Sequence, residues 1–262
     1  MTNGGRRARP LATTGRKQSA MDLSIVIPVL NESGNVVPLL DEVLAALRPV
    51  GIEFEVIFVD DGSDDDTAAK LIARQGDTPE LRLVRHASRY GQSMGVRSGV
   101  LAARGRWIGT LDGDRQNDPA DLPAMWAAAN GPEAPGLIAG ERIKRNDNWQ
   151  KRYASRFANW LRQKLLHDGV KDTGCGLKMF RRDLFLEFPH FDHMHRYLPA
   201  LARRHGARVL PVPVRHRARE EGTSKYGTLD RALVGATDLF GVWWLIRRSR
   251  FPIRLRDDGG AR

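Results

Sequence analysis

From Met21 onward, short apolar runs rich in β-branched residues alternate with stretches that carry their apolar residues at helical spacing, the pattern of an α/β layered fold. LSIVIPVL (23–30) predicts the first strand. In the segment NVVPLLDEVLAALRPVG that follows, Val36, Leu40, Val43, Leu44 and Leu47 share one helical face, Pro38 sits in the opening turn and Gly51 provides a stop. FEVIFV (54–59) and LRLV (81–84) predict two more strands, QSMGVRSGVLAA (92–103) a helix whose glycines permit close packing, and RWIGTL (106–111) a fourth strand. No internal repeat interrupts the series.

At 262 residues the chain can bury a sizeable core as one large domain or one domain with appendages. A hydrophobic content of 41% with 28% charged residues excludes a disordered chain. The single cysteine, Cys175, excludes an internal disulfide and suits a reducing, intracellular compartment. The net charge of +11 suggests nucleic acid until it is located. Arg6, Arg7, Arg9, Arg16 and Lys17 stand without an acid in residues 1–20, and the arginines of residues 247–262 face only Asp257 and Asp258, so the body between is nearly neutral. Basic ends on a neutral globule fit an anionic membrane surface better than a nucleic-acid groove. Residues 1–20 lack the apolar core of a secretory signal and read as a disordered basic tail, with Met21 as an alternative start.

Ligands of open α/β sheets bind beyond the carboxyl ends of the strands. Three of those ends carry polar clusters: VLNESGN after the first strand, VDDGSDDDT after the second and LDGDRQNDP after the fourth. Each alone is ordinary turn and helix-cap chemistry; three on one edge indicate a site. In DGD, Asp112 and Asp114 offer hard oxygen ligands around Gly113, suited to Mg²⁺ or Mn²⁺ whose remaining ligands are substrate phosphates, and Gln116 adds a neutral oxygen.

These residues, with the further series GQSMGVRSGVLAARG, AGERIKR, KRYASRFAN, DTGCGLKMFRRD, MHRYLPAL and REEGTSKYG in this order, resemble the inverting family 2 glycosyltransferases of the GT-A fold, in the dolichyl-phosphate mannose synthase-like branch that acts on polyprenyl phosphates. The resemblance covers Met21 to Trp244. It implies a Rossmann-like nucleotide-binding mixed sheet flanked by helices, a nucleotide-sugar donor linked to UDP or GDP, and a polyprenyl phosphate acceptor. Position by position it implies Pro28, Asn31 and Glu32 at the nucleotide pocket, Asp60 or Asp61 at the nucleobase, and Asp112, Asp114 and Gln116 at the metal and diphosphate. It further implies Arg142, Arg152, Ser155, Arg219 and Lys225 as phosphate binders, with Asp114, Arg142, Arg219 and Lys225 carrying catalysis. One residue departs from the family's pattern. Arg115 stands where an apolar side chain is usual, open to solvent, a diphosphate or a lipid head group.

A lipid monophosphate is already largely ionised near neutrality, so a transferase acting on it needs no strong general base, and a single displacement inverts the anomeric centre. The QxxRW element of processive synthases is absent, which predicts one sugar per acceptor. Two alternatives remain at this stage: a saccharide or other lipid acceptor, and a sugar nucleotidyltransferase, although PVLNESGN occupies the place where the latter carries a basic Gly-rich loop. The apolar stretch ALVGATDLFGVWWLI (232–246) contains Asp238 and is shorter than the ~20 residues of a spanning helix. With Trp243, Trp244 and the arginines after them, it is expected to lie in the head-group layer or to pack as a core or dimer helix. His190, His193 and His195 lack the companions of a zinc site, and His195 with Arg196 is expected on an acceptor-side helix. The expected organisation is a tail at 1–20, a GT-A domain at 21–228, an amphipathic helix at 229–250 and a basic tail at 251–262. The expected location is peripheral, on the cytoplasmic face of the cytoplasmic membrane, without a span or a nucleic-acid partner; the sugar, the base and the oligomeric state stay open.

Overall fold

The computed structural model describes residues 21–143, 160–217 and 228–248, with side chains of the last helix described from Val234. Strands β1 (Leu23–Val29), β2 (Phe54–Asp60), β3 (Leu81–Arg85) and β4 (Trp107–Thr110) alternate with helices α1 (Val36–Leu47), α2 (Thr67–Arg74) and α3 (Gln92–Ala102). After α4 (Leu122–Ala129) come β5 (Leu137–Arg142), a helical stretch at 160–166, β6 (Lys178–Arg181) and α5 (Arg182–Leu186). Helix α6 (Leu198–Arg204), β7 (Val209–Val214) and α7 (Thr228–Arg248) complete the described chain. The strands form one seven-stranded sheet in the order β3-β2-β1-β4-β6-β5-β7.

Strand β1 is central and pairs in parallel with β2 on one side and β4 on the other, so it is covered on both faces and reads as an almost unbroken apolar run. Leu23, Ile25, Ile27 and Val29 point to one face, where Leu40, Val43 and Leu47 of α1 and Met125 of α4 cover them. Val26 points to the other, with Ile57 and Val59 of β2, Val96 and Val100 of α3 and Leu201 of α6. Helix α3 approaches β1 closely because Gly95 and Gly99 sit where a Cβ would strike Pro28 and Val26.

The antiparallel strand decides what reaches the site. Strand β6 runs opposite to both β4 and β5, whereas every other pair is parallel. The carboxyl ends of β1, β2, β4 and β5 therefore share one edge with the start of β6, which brings Asp112, Arg142 and Lys178 together from distant parts of the chain.

The opposite end of the sheet is pinned by a polar network buried inside strands. Glu55 is fully buried; its carboxylate accepts from Ser24 Oγ at 2.7 Å, Arg104 N at 2.7 Å and an Arg82 guanidinium nitrogen at 2.7 Å. Burial pushes the Glu55 carboxyl up, but the hydrogen bonds from Ser24, Arg82 and Arg104 outweigh it and hold the group below its ordinary value. Glu55→Ala leaves the Ser24 hydroxyl and the Arg104 amide without their acceptor, and is expected to cost about 2–4 kcal/mol, lowering Tm by about 5–10 °C. A carboxylate held low in the folded state gives stability that is present above its unfolded pKa and is lost as pH falls through the native one. Thermal melts from pH 7 to pH 3 should show that acid component in the wild type and its reduction in Glu55→Gln.

Candidate active site

The loops after β1 and β2 are fastened to each other before either contributes to the site. Asn31, held at φ 57°, donates its backbone N–H to Ser63 Oγ at 2.9 Å and accepts from Asp64 N at 3.0 Å through Oδ1. Glu32 N donates to Thr67 Oγ1 at 2.9 Å. Its carboxylate, on the cleft, accepts from Asn35 Nδ2 at 2.7 Å. Asp60 is buried behind this loop, accepting from Ser63 N at 3.0 Å. Asp61 lines the cleft but is largely occupied: Oδ1 accepts from His86 Nδ1 at 2.7 Å and Tyr90 N at 2.9 Å, and Oδ2 from Gly91 N at 2.7 Å. Since a carboxylate only accepts, His86 Nδ1 carries the proton. Asp61 thereby sets the segment that leads into α3.

The cleft so formed is a cavity of about 370 Å³ at the carboxyl ends of β1, β2 and β4. Asp112 and Asp114 form part of its floor. Asp112 Oδ1 accepts from Gln92 Nε2 at 2.7 Å, and its amide donates to Asn117 Oδ1 at 3.1 Å. Its carboxylate lies against Gly176, where any Cβ would collide with it. Burial, and next the charge of Asp114, push the Asp112 carboxyl above its ordinary value. Asp114 Oδ1 accepts from Gln116 N at 3.2 Å, closing the turn. Arg115, at φ 58°, swings out of the turn and pairs with Glu42 of α1 at 2.6 Å. Glu42 also holds Arg217 at 2.6 Å, and Arg217 reaches Asp118 at 2.8 Å.

The facing wall is the DTGCG segment, Lys178 and the 3₁₀ turn Met194–Arg196. Arg142 sits behind this wall and grips Asp172 with both arms, at 2.6 and 2.8 Å. Arg162 does the same from the next layer, pairing with Asp168 at 2.8 Å and donating to Thr173 Oγ1. Lys178 is buried, donating to the carbonyls of Thr173 and Cys175, and its burial lowers its pKa. The Cys175 thiol is buried beside Asn117 and pushed up by burial. His195 Nδ1 lies 2.7 Å from Ser93 Oγ. Burial first, then the charges of Lys178, Arg196 and His193, push His195 down to about 3, so its imidazole is neutral near pH 7.

Of the residues expected from the sequence, Pro28, Glu32, Asp61, Asp112 and Asp114 meet in the cleft, joined by His195 and Arg196. Asn31, Asp60, Gln116 and Arg142 are not in its lining and are engaged in shaping its walls. Arg152, Ser155, Arg219 and Lys225 lie outside the described residues. Gln92, Arg89 and Lys178 line the cleft without having been singled out. Gln92 and Lys178 stood inside the motif segments GQSMG and GLKMF, but their residue types alone carried no signal. His195 and Arg196 occupy a 3₁₀ turn rather than an α-helix, and no group of three or more His, Cys, Asp or Glu side chains among the described residues is arranged to hold a metal.

Comparison with known proteins accords with this geometry. The chain is 34% identical over 248 residues to a dodecaprenyl-phosphate galacturonate synthase of Rhizobium johnstonii, spanning 93% of this chain and 72% of that protein. It is 34% identical over 210 residues to an undecaprenyl-phosphate 4-deoxy-4-formamido-L-arabinose transferase of Edwardsiella ictaluri, spanning 79% of this chain and 63% of that one. Among solved structures, glucosyl-3-phosphoglycerate synthase of Mycobacterium tuberculosis, in complex with Mn²⁺, UDP and glucosyl-3-phosphoglycerate, superposes with a TM-score of 0.65 at 20% identity, covering 95% of this chain and 88% of that chain. A mannosyltransferase of Pyrobaculum calidifontis in complex with GDP-mannose and Mn²⁺ superposes with a TM-score of 0.62 at 19% identity, covering 88% and 65%. Both superpositions show a shared fold, and the sequence model of glycosyl transferase family 2 matches residues 24–188, from the first strand through β6 and α5. On that match the chain belongs to glycosyl transferase family 2, and it has the GT-A fold.

Proposed function

We propose that this glycosyltransferase moves one sugar from a nucleoside diphosphate sugar to a polyprenyl phosphate, with inversion, giving a β-linked lipid-phosphate sugar from an α-linked donor. The observation that carries the acceptor class is the chemistry of the wall facing Asp112. From Thr173 to Lys178 and at His195 and Arg196 it presents no carboxylate, and burial with the neighbouring cations pushes its imidazole down to about 3. A sugar hydroxyl must give up its proton to attack, and such an imidazole is far too weak a base to take it. A phosphate monoester arrives ionised and needs none. The names of the two prenyl-phosphate relatives point the same way.

Asp112 and Asp114 suit a divalent cation on chemical grounds. Both offer carboxylate oxygens to the cleft, where burial first and then the charge of Asp114 raise Asp112 above its ordinary value, a cost that a bound cation would offset. When bound, Mg²⁺ or Mn²⁺ would neutralise the departing diphosphate. Gln92 orients Asp112 through its 2.7 Å hydrogen bond. Lys178 supplies positive charge beneath it. Pro28, Glu32 and Asp61, with Asn31 and Asp60 behind them, form the side assigned to the nucleotide. Arg142 braces the DTGCG wall through Asp172. We assign Arg152, Ser155, Arg219 and Lys225 to the phosphates on the strength of the family motif. The chemistry is then alignment: a phosphate oxygen attacks the anomeric carbon as the bond to the diphosphate breaks on the opposite side.

Such an acceptor has its phosphate at a membrane surface, and helix α7 suits that surface. No helix among the described residues is long and apolar enough to cross a membrane. Leu239 and Val242 of α7 pack on Leu166, Tyr197 and Ala200, whereas Phe240 and Trp244 stand 57% and 58% exposed. Arg247 stacks over Trp243 at 4.5 Å. The helix thus joins a packed face to an apolar outer face with cations at its end, suited to peripheral docking on an anionic, cytoplasmic leaflet.

Turnover should require Mg²⁺ or Mn²⁺. Asp114→Ala is expected to abolish it with Tm unchanged, and Gly176→Ala to weaken Mn²⁺ affinity by displacing Asp112; full activity in excess EDTA would remove the metal role. A panel of UDP- and GDP-sugars offered with undecaprenyl phosphate and Mn²⁺ should yield one lipid product bearing a single sugar by mass spectrometry. Sugar oligomers, or transfer to free saccharides with the lipid phosphate inert, would refute the acceptor reading. In flotation with phosphatidylglycerol vesicles at low salt, Phe240→Ser with Trp244→Ser should weaken binding about tenfold or more. High salt should weaken the wild type. Equal flotation of variant and wild type would assign the exposed face to another contact.

A further inference from the structure

Two oddities of the sequence explain each other in the structure. Asp238 interrupts the apolar stretch of α7, and His193 sits in a histidine-rich segment without metal companions. His193 Nδ1 lies 2.9 Å from Asp238 Oδ2, with the two side chains 34% and 21% exposed. His193 is the residue that enters the 3₁₀ turn Met194–Arg196, and it does so at φ 60°, a left-handed backbone that a residue with a Cβ keeps only when its surroundings impose it. The two residues that follow Met194 in the turn, His195 and Arg196, line the cleft. On its far side Tyr197 donates its hydroxyl to the Gly235 carbonyl of α7 at 3.3 Å. The turn is therefore held at both ends by α7 and in the middle by Ser93, which meets His195 at 2.7 Å.

The same elements enclose a second cavity, of about 620 Å³. It is bounded by Tyr90 and Ser93, by His193 and by Val234 of α7, and it shares Gln92, His195 and Arg196 with the first. The last helix thus reaches the space beside the donor cleft through Val234. A helix serving only as an anchor would have no reason to spend a buried-face carboxylate on the residue that sets the turn.

We infer that the His193–Asp238 pair is a positioning device: it seats the Met194–Arg196 turn so that His195 and Arg196 face the acceptor, making α7 part of the active-site scaffold. This rests on the acceptor reading above for the identity of the substrate, though not for the mechanical link. His193 and Asp238 touch neither substrate nor metal in this scheme; they act through the turn.

The test uses the full chain, undecaprenyl phosphate in phosphatidylethanolamine–phosphatidylglycerol vesicles, and the donor selected by the panel. Asp238→Ala and His193→Ala are each expected to lower kcat/KM for the lipid about tenfold while affinity for the donor's nucleoside diphosphate stays within about twofold. The double variant should be no worse than either single one, as for two members of one contact. Asp238→Asn should keep most of the activity, because its amide oxygen still accepts from Nδ1. Hydrogen exchange of peptides covering 191–197 should accelerate about fivefold or more in Asp238→Ala, with the β1 peptide unchanged. Unchanged kcat/KM in the alanine variants, losses that multiply in the double variant, or an Asn variant as impaired as the Ala variant would each overturn the proposal. A wild type that glycosylates no prenyl phosphate refutes the acceptor reading instead; the exchange result then decides the link, and unchanged exchange overturns it.

Discussion

Two carboxylates held two positions apart at the edge of a buried sheet repel each other and resist losing water, and much of the cleft can be understood as what it takes to keep them there. Asp112 receives a hydrogen bond from Gln92, and a buried ammonium, Lys178, lies close enough to favour its charge. Gly176 leaves it room. Asp114 is fixed by the amide of Gln116 across a turn that places Arg115 at φ 58°. Against these neighbours, burial first and then the charge of Asp114 hold Asp112 above its ordinary value. A cation with its phosphates, as proposed above, would offset that cost where these neighbours do not.

The distribution of arginine follows from the same economy. A count of cations in the sequence overstates what is available to a ligand, because much of it is used inside the protein. Arg142 is committed to Asp172, Arg162 to Asp168, and Arg82 and Arg104 to Glu55. Arg115 and Arg217 converge on Glu42. The last of these networks explains the departure at position 115. A guanidinium there needs no phosphate; it ties the carboxylate turn to α1 and, through Glu42 and Arg217, to the segment following β7. Planar forks suit such pairs because each fixes orientation as well as distance.

What the sequence disclosed and what it hid divide along physical lines. Strands β1, β2 and β4 were legible because strands buried on both faces need unbroken apolar runs, β3 from its shorter run at the sheet's edge, and α1 because its five marked residues share one face. Strands β5, β6 and β7 were not. LIAGER ends in charge, KMFR is four residues long with its lysine buried at the site, and VLPVPV carries two prolines, tolerable because β7 is the sheet's edge. The acidic floor was legible from DGD once two further polar clusters stood at the same sheet edge, and Pro28, Glu32 and Asp61 from the family motif that spans those clusters. The wall-shaping roles of Arg142, Asn31 and Asp60 were not, because a motif records that a residue belongs to a site without saying which way it faces. Lys178 was hidden for a topological reason: only the reversal of β6 brings it beneath Asp112.

The last helix joins the two halves of the problem such an enzyme faces. A nucleotide sugar comes from water and a prenyl phosphate from a lipid surface, so the reacting atoms must meet where both environments are within reach. Here α7 turns Phe240 and Trp244 outward and Leu239 and Val242 inward. Between those faces Asp238 reaches His193, and Gly235 receives Tyr197, whose hydroxyl is pushed up to about 12 by burial and by Asp238 and so remains a donor. A helix bound by apolar packing alone could rotate or slide at modest cost, since such contacts are not directional. A carboxylate and a carbonyl placed one turn apart along it fix both rotation and register, and they do so against the residues that flank the turn lining the cleft. The polar interruption that makes this segment a poor membrane span is what gives it a defined seat on the enzyme.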